Sequence, residues 1–277
     1  MSLTQGTSNF SSGSGSGSSG SSSTVGQAFY GTGSGAYTWT CPTGVSSVCV
    51  VAIGGGAGSN GGTASGNGSG GGGGLGWKND IPVVAGTDYV VQVGKGGDKG
   101  RANNNEGGDS YFISTSTVCG NGAENNYTGG GYTGDGGGRG GNGAGSSGGG
   151  GAGGYTGAGG RYGQNGSGGG GAGGGNYSST WGYASGGGVG PFGQGTSGQH
   201  ESQRGGLAGS GGENGKTGEN SQTSHGHEAR DGGLYGGGGG GPGDTNPAQF
   251  LSMGGRGCVR IIWGSGRSFP STGTGDM

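Results

Sequence analysis

Apolar residues along the chain are bunched into a few short runs separated by glycine. Tyr37, Trp39 and Cys41 alternate with Thr38 and Thr40, the period of a strand with one face buried. After a turn at Pro42 to Gly44, residues 45–53 (Val-Ser-Ser-Val-Cys-Val-Val-Ala-Ile) form an unbroken, β-branched run. That predicts a strand buried on both faces. Residues 54–74 read as a glycine loop. Residues 75–84 and 89–93 predict two further strands joined by the turn at 85–88, with Tyr89, Val91 and Val93 on one face. A short strand is expected at 109–114, ending near Val118 and Cys119, and a last one at Cys258–Trp263, more than 130 residues later.

That late return shapes the expected topology. The early strands and the last one have too little apolar surface for two cores, so they are expected to close one antiparallel β-sandwich. The chain then divides into a Ser/Gly-rich arm (1–25), sandwich strands (26–119), a glycine-rich insertion (120–245) and a returning core strand with a C-terminal tail (246–277). The arm has the composition of a flexible tether.

Close to half of residues 120–243 are glycine, in runs such as 148–151, 168–171 and 236–241. Ordering a residue costs roughly 1–2 kcal/mol, and glycine loses the most freedom. Side chains are too sparse to offset this, which leaves the backbone N–H and C=O groups. A polyproline-II-type helix has no internal hydrogen bonds and points those groups sideways. Glycine helices, lacking Cβ, can then pack laterally through N–H···O and Cα–H···O contacts. The expected fold is all-β plus polyglycine-II: a β-sandwich carrying a long inserted bundle of glycine-rich helices of this type. The same composition is also that of disordered linkers. Collagen requires glycine at every third position with abundant proline, and the chain has only 6 prolines.

Only 24% of the 277 residues are hydrophobic, so a conventional core serves part of the length. Twelve basic against fourteen acidic residues give a formal charge of −2, which argues against nucleic acid as a partner. No apolar run reaches the length of a membrane span, so no membrane insertion is expected. The start, Met-Ser-Leu-Thr-Gln-Gly, has neither a basic nor an apolar signal region, so synthesis and retention in the cytoplasm are expected. Cys41, Cys49, Cys119 and Cys258 are then expected as thiols.

Chance repeats of G-x-G-x-x-G carry no weight in such a sequence, and no nucleophile has a base at a recognisable spacing, so no enzyme and no cofactor are expected. His225 and His227, with Glu228, His200, Glu201 and Asp231, could hold a metal, but a solvated polar loop is the preferred reading. Tyr177, Trp181, Tyr183, Phe192, His200, His225, His227 and Arg230 break the glycine monotony. Such groups on loops of a rigid scaffold are candidates for receptor contact. The competing reading makes Trp181, Tyr183 and Phe192 caps on the ends of glycine helices.

The segments at 37–48, 73–83, 107–113 and above all 257–272 (Gly-Cys-Val-Arg-Ile-Ile-Trp-Gly-Ser-Gly-Arg-Ser-Phe-Pro-Ser-Thr) resemble glycine-rich structural proteins of marine cyanophages. The resemblance spans about residue 30 to the end and implies a virion or tail-fibre protein. By looser analogy, the tip adhesins of T-even-like phages carry polyglycine-II sandwiches whose distal loops touch the host receptor. Implied partners are further copies in a homotrimer or higher oligomer, other virion proteins, and a host surface glycan or protein. Implied placement is a surface appendage of the virion; the rival is a self-assembling filament or sheath subunit.

Overall fold

The computed structural model describes residues 25–59, 68–99, 105–124, 127–145, 148–175, 184–202, 204–215, 231–241 and 252–271. Among them the chain is all-β, with ten strands and no helix: β1 (Gly26–Tyr30), β2 (Gly35–Thr40), β3 (Ser47–Ile53), β4 (Leu75–Pro82), β5 (Asp88–Val93), β6 (Ser110–Phe112), β7 (Val118–Gly120), β8 (Tyr132–Thr133), β9 (Gly136–Gly138) and β10 (Cys258–Trp263). They form two antiparallel five-stranded sheets, ordered β1-β10-β3-β4-β9 and β2-β5-β6-β7-β8.

The late strand β10 pairs with both β1 and β3, so the chain's return completes the first sheet. The sheets pack face to face through Val48, Val50, Ala52, Val259 and Ile261 on one side and Trp39, Val91, Val93, Phe112 and Val118 on the other. Trp39 and Trp263 span the interface with ring centroids 5.6 Å apart. Strand β3 is buried on both faces as its unbroken apolar run requires: Cys49, Val51 and Ile53 point away from the second sheet, into a second cluster with Leu75, Ala152, Tyr155, Val189, Ile262 and Phe269. All four cysteines are buried thiols.

A bulge in β4 sets the position of the C-terminal tail. Register shifts between Val48 and Val50, opposite Asn79 and Asp80, and Asp80 takes a φ of 52° that aspartate tolerates better than most residues. Asn79 is thereby turned to bind both backbone groups of Phe269, at 2.8 and 2.9 Å.

Beyond the sheets lies a layer of extended glycine segments with its own hydrogen-bond order. Residues 54–59 donate six successive bonds of 2.8–2.9 Å: Gly54 and Ala57 to Gly74 and Gly71, Gly55 and Gly58 to Gly108 and Asn105, Gly56 and Ser59 to Gly255 and Ser252. Every third residue therefore addresses the same neighbour, where a β-strand would repeat every second residue. The same segment accepts bonds from Gly97, Ala123 and Gly239. Its six bonded neighbours (68–74, 94–98, 105–109, 120–124, 236–241 and 252–257) surround it, whereas a strand has at most two.

At most of its glycines this packing leaves no room for a side chain. A Cβ placed on Gly55 would lie 1.9 Å from the carbonyl oxygen of Lys95. Two expectations change. The described parts of 54–74 are not a loop but two segments of this layer. Strands β8 and β9 lie past Gly120, within the stretch read from composition as glycine-rich insertion; they carry no apolar pattern and are strands because β7 and β4 present them free edges.

Candidate functional site

The register fixes a polarity. Strands β3, β5, β7 and β9 run directly into glycine segments, and glycine segments run directly into β4, β6, β8 and β10. The pairings Cys258 with Ile53, Ile53 with Leu75, Leu75 with Gly138, Ser110 with Gly120 and Gly120 with Tyr132 put these eight junctions at one end of the sheets. The opposite end holds the β2–β3, β4–β5 and β6–β7 turns, together with Val25, which lies against Gly264. The chain thus enters the sandwich at the end remote from the glycine layer.

At the outer end of the layer the chain reverses repeatedly, tied by bonds from Ser59 to Ser252, Ser69 to Ala144 and Gly148, Gly149 to Ala184, and Gly175 to Arg204. Gly175 and Ala184 flank residues 176–183. Gly215 bonds Gly206, which bonds Ser185, and the Ser185 hydroxyl bonds the Asp231 carbonyl, so the flanks of 216–230 meet at the same place. Tyr177, Trp181, Tyr183, His225, His227 and Arg230 themselves lie outside the described residues.

Of the remaining predicted residues, His200 belongs to this outer end and Phe192 does not. Phe192 packs on Phe29 at 6.1 Å, and the Arg260 guanidinium lies 5.0 Å from its ring centre. It lies half-buried on the outer face of the first sheet, over Arg260, a buried cation on β10 to which Gln27 supplies a carbonyl oxygen at 2.7 and 3.0 Å.

His200 lines an open cleft of about 360 Å³ with Arg161, Tyr162, Gly163, Gln164 and Ser202. One wall is a tight turn closed by the Gln164 amide on the Arg161 carbonyl, with Gly163 at φ 67°. The other is residues 198–202, pinned where the His200 amide donates to Asn165 Oδ1 at 2.6 Å. His200 Nδ1 lies 3.4 Å from the Gly173 carbonyl, which only accepts, so in this contact Nδ1 is the donor. Tyr162 and His200 are half-buried, while Arg161, Gln164 and Ser202 are exposed. Beside the cleft, Arg204 and Glu201 pair at 3.1 Å.

Arg161, Tyr162, Gln164 and Ser202 were not singled out from the sequence, although Arg161 to Asn165 interrupts the glycine runs much as 176–183 does. Among the described residues no three or more His, Cys, Asp and Glu side chains are grouped to hold a metal ion. No helix among them is long and apolar enough to cross a membrane.

The fold and this outer end define an all-β, glycine-layered protein that displays short polar turns. The chain belongs to the glycine-rich domain family, whose model matches residues 31–264. Comparison with curated proteins finds no match.

Proposed function

We propose that the glycine layer is a polyglycine-II bundle and that the protein is a non-enzymatic surface fibre or adhesin of a phage virion, presenting the outer turns for attachment to a host surface. The period-three donation of residues 54–59 to three neighbours, within a ring of six, supports the bundle. Residues 148–154 repeat it: Gly150 and Gly153 donate to Gly70 and Gly73, Gly149 and Ala152 to Ala184 and Gly187. The observation that carries the adhesin reading is polarity. The arm joins at the sandwich end, and the flanks of the aromatic and histidine-bearing segments gather at the other. The resemblance to cyanophage virion proteins agrees with it. Partners are further copies in a trimer, other virion proteins at the arm, and a glycan or protein of the host surface.

The test uses the full chain, labelled and applied to a panel of marine cyanobacterial strains, with its mass measured by light scattering. A discrete trimer should decorate at least one strain, and replacing Tyr177, Trp181 and Tyr183 with Ser should remove decoration without changing mass or melting temperature. Length-polydisperse fibrils that decorate no strain would overturn the adhesin and favour a filament subunit.

A further inference from the structure

The cleft at the outer end has a composition that selects for a particular ligand chemistry. Its lining holds one guanidinium, one imidazole, one phenol ring, one carboxamide and one hydroxyl, and no carboxylate. Glu201, next to His200 in the chain, is engaged by Arg204. A volume of about 360 Å³ is at the small end of the range for sites that hold compact ligands, roughly 300–1,000 Å³. From these features we infer that the cleft between the Arg161–Gln164 turn and His200–Ser202 is the binding site for a sugar residue bearing a carboxylate, such as a uronic acid. This rests on the host-surface reading above and names the chemistry it would meet.

Each lining group has a part. Arg161 offers a planar fork of N–H donors, which matches a carboxylate as no single-point cation does. The half-buried Tyr162 ring provides an apolar face against which the C–H groups of a pyranose can lie, with its hydroxyl at the wet edge. His200, fixed by Asn165 and Gly173, adds a polar ring, and Gln164 and Ser202 add donors and acceptors for ring hydroxyls. The wall does not need to form on binding. The Arg161 carbonyl closes the turn on the Gln164 amide, and the Gly163 amide and Gln164 carbonyl are hydrogen-bonded into the glycine layer, to Gly174 and Gly173. Such a preformed site spends little binding energy on ordering.

Saturation-transfer NMR on the full-length protein tests this with three probes: methyl β-D-glucuronoside, neutral methyl β-D-glucoside and N-acetylglutamate amide. The glucuronoside should bind at least about tenfold more tightly than the other two. Arg161→Gln should remove that advantage, Arg161→Lys should retain part of it because charge remains and the fork is lost, and Tyr162→Ala should weaken both sugars. Arg161 is exposed and Tyr162 reaches the surface, so melting temperatures should hold and certify the fold. Equal binding of the glucoside, equal binding of the glutamate probe, no binding of any probe, or an Arg161→Gln variant that binds normally would each overturn the assignment. Cell decoration separates the two readings. Decoration that survives loss of glucuronoside binding leaves the adhesin and refutes the cleft's part in it; glucuronoside binding without decoration of any strain supports the cleft and refutes the adhesin.

Discussion

Replacing Gly72 with alanine tests whether backbone packing holds the glycine layer. The added Cβ would lie 2.0 Å from the Gly151 carbonyl oxygen and 2.5 Å from its carbon. Carbon meets a carbonyl oxygen comfortably at about 3.3 Å, so the 148–154 segment must retreat by about 1.3 Å. That segment is tied to Gly72's own by Gly150 to Gly70 at 3.0 Å and Gly153 to Gly73 at 2.9 Å. Both bonds would pass beyond reach, leaving buried donors and acceptors that cost roughly 1–3 kcal/mol each, relieved in part by relaxation. Against this, alanine gains only about 0.4–1 kcal/mol by restricting the unfolded chain. The expected net loss is about 2–5 kcal/mol, a fall on the order of 10 °C in Tm. Gly131→Ala is the matched control, since its Cβ would meet only Asn121 Oδ1, at 3.5 Å. It should be neutral or slightly stabilising. Calorimetry and guanidinium melts on both variants decide the matter: a Gly72→Ala protein within about 0.5 kcal/mol of Gly131→Ala would refute the close-packed layer.

Two further outcomes follow from the second cluster and the thiols. The buried Tyr155 hydroxyl donates to the Gly190 carbonyl and accepts from the Gly193 amide, both at 3.0 Å, so Tyr155→Phe strands two buried groups and should cost about 2–4 kcal/mol in the same melts; a loss under about 0.5 kcal/mol would show that the turn re-pairs without it. Burial pushes the Cys119 thiol up to about 12, helped by the Asp109 charge, and raises Cys258 well above its usual range through burial alone against the pull of Arg256. Because these folded-state values are raised, their contribution to stability is complete below the unfolded thiol's value near 9 and declines as pH rises from there towards 12. Mass spectrometry after iodoacetamide at pH 8.5 should find Cys119 and Cys258 unmodified in the native protein and labelled in guanidinium; native labelling at either site would contradict the burial.

How much of this was readable in the sequence depended on whether side chains or backbone carry the information. Strands β2, β3, β5 and β10 announce themselves by apolar alternation or β-branched runs, and β3's double burial followed from its lack of alternation. Gly136–Gly138 could not be recognised as a strand, because nothing in three glycines distinguishes an edge of β4 from the neighbouring layer. The glycine segment at 54–74 was read as a loop for the same reason. Its role depends on which neighbours surround it, and glycine leaves no periodic mark of that. The alanines do leave one: Ala152 sits where the layer meets Val51 and Ile53, a place with room for a methyl group and apolar contact for it. Of the candidate site, His200 was legible as an interruption of glycine. Phe192 looked equivalent in sequence, and only the structure shows its packing on Phe29 and Arg260.

The two halves of the molecule respond to mutation in opposite ways. In the sandwich, side chains such as Phe112 and Ile261 fill the core, so sequence and stability are coupled position by position. In the glycine layer most of the bonds belong to the main chain. Arg161, Gln164 and Ser202 are exposed, and apart from those of the Asn165 and His200 side chains the layer's hydrogen bonds near them run through backbone groups. A surface built this way can change its outer residues at little cost to the fold, within the limits set by the segment interiors where glycine is obligatory. Such separation suits a recognition surface: rigidity comes from residues that cannot vary, and chemistry from residues that can.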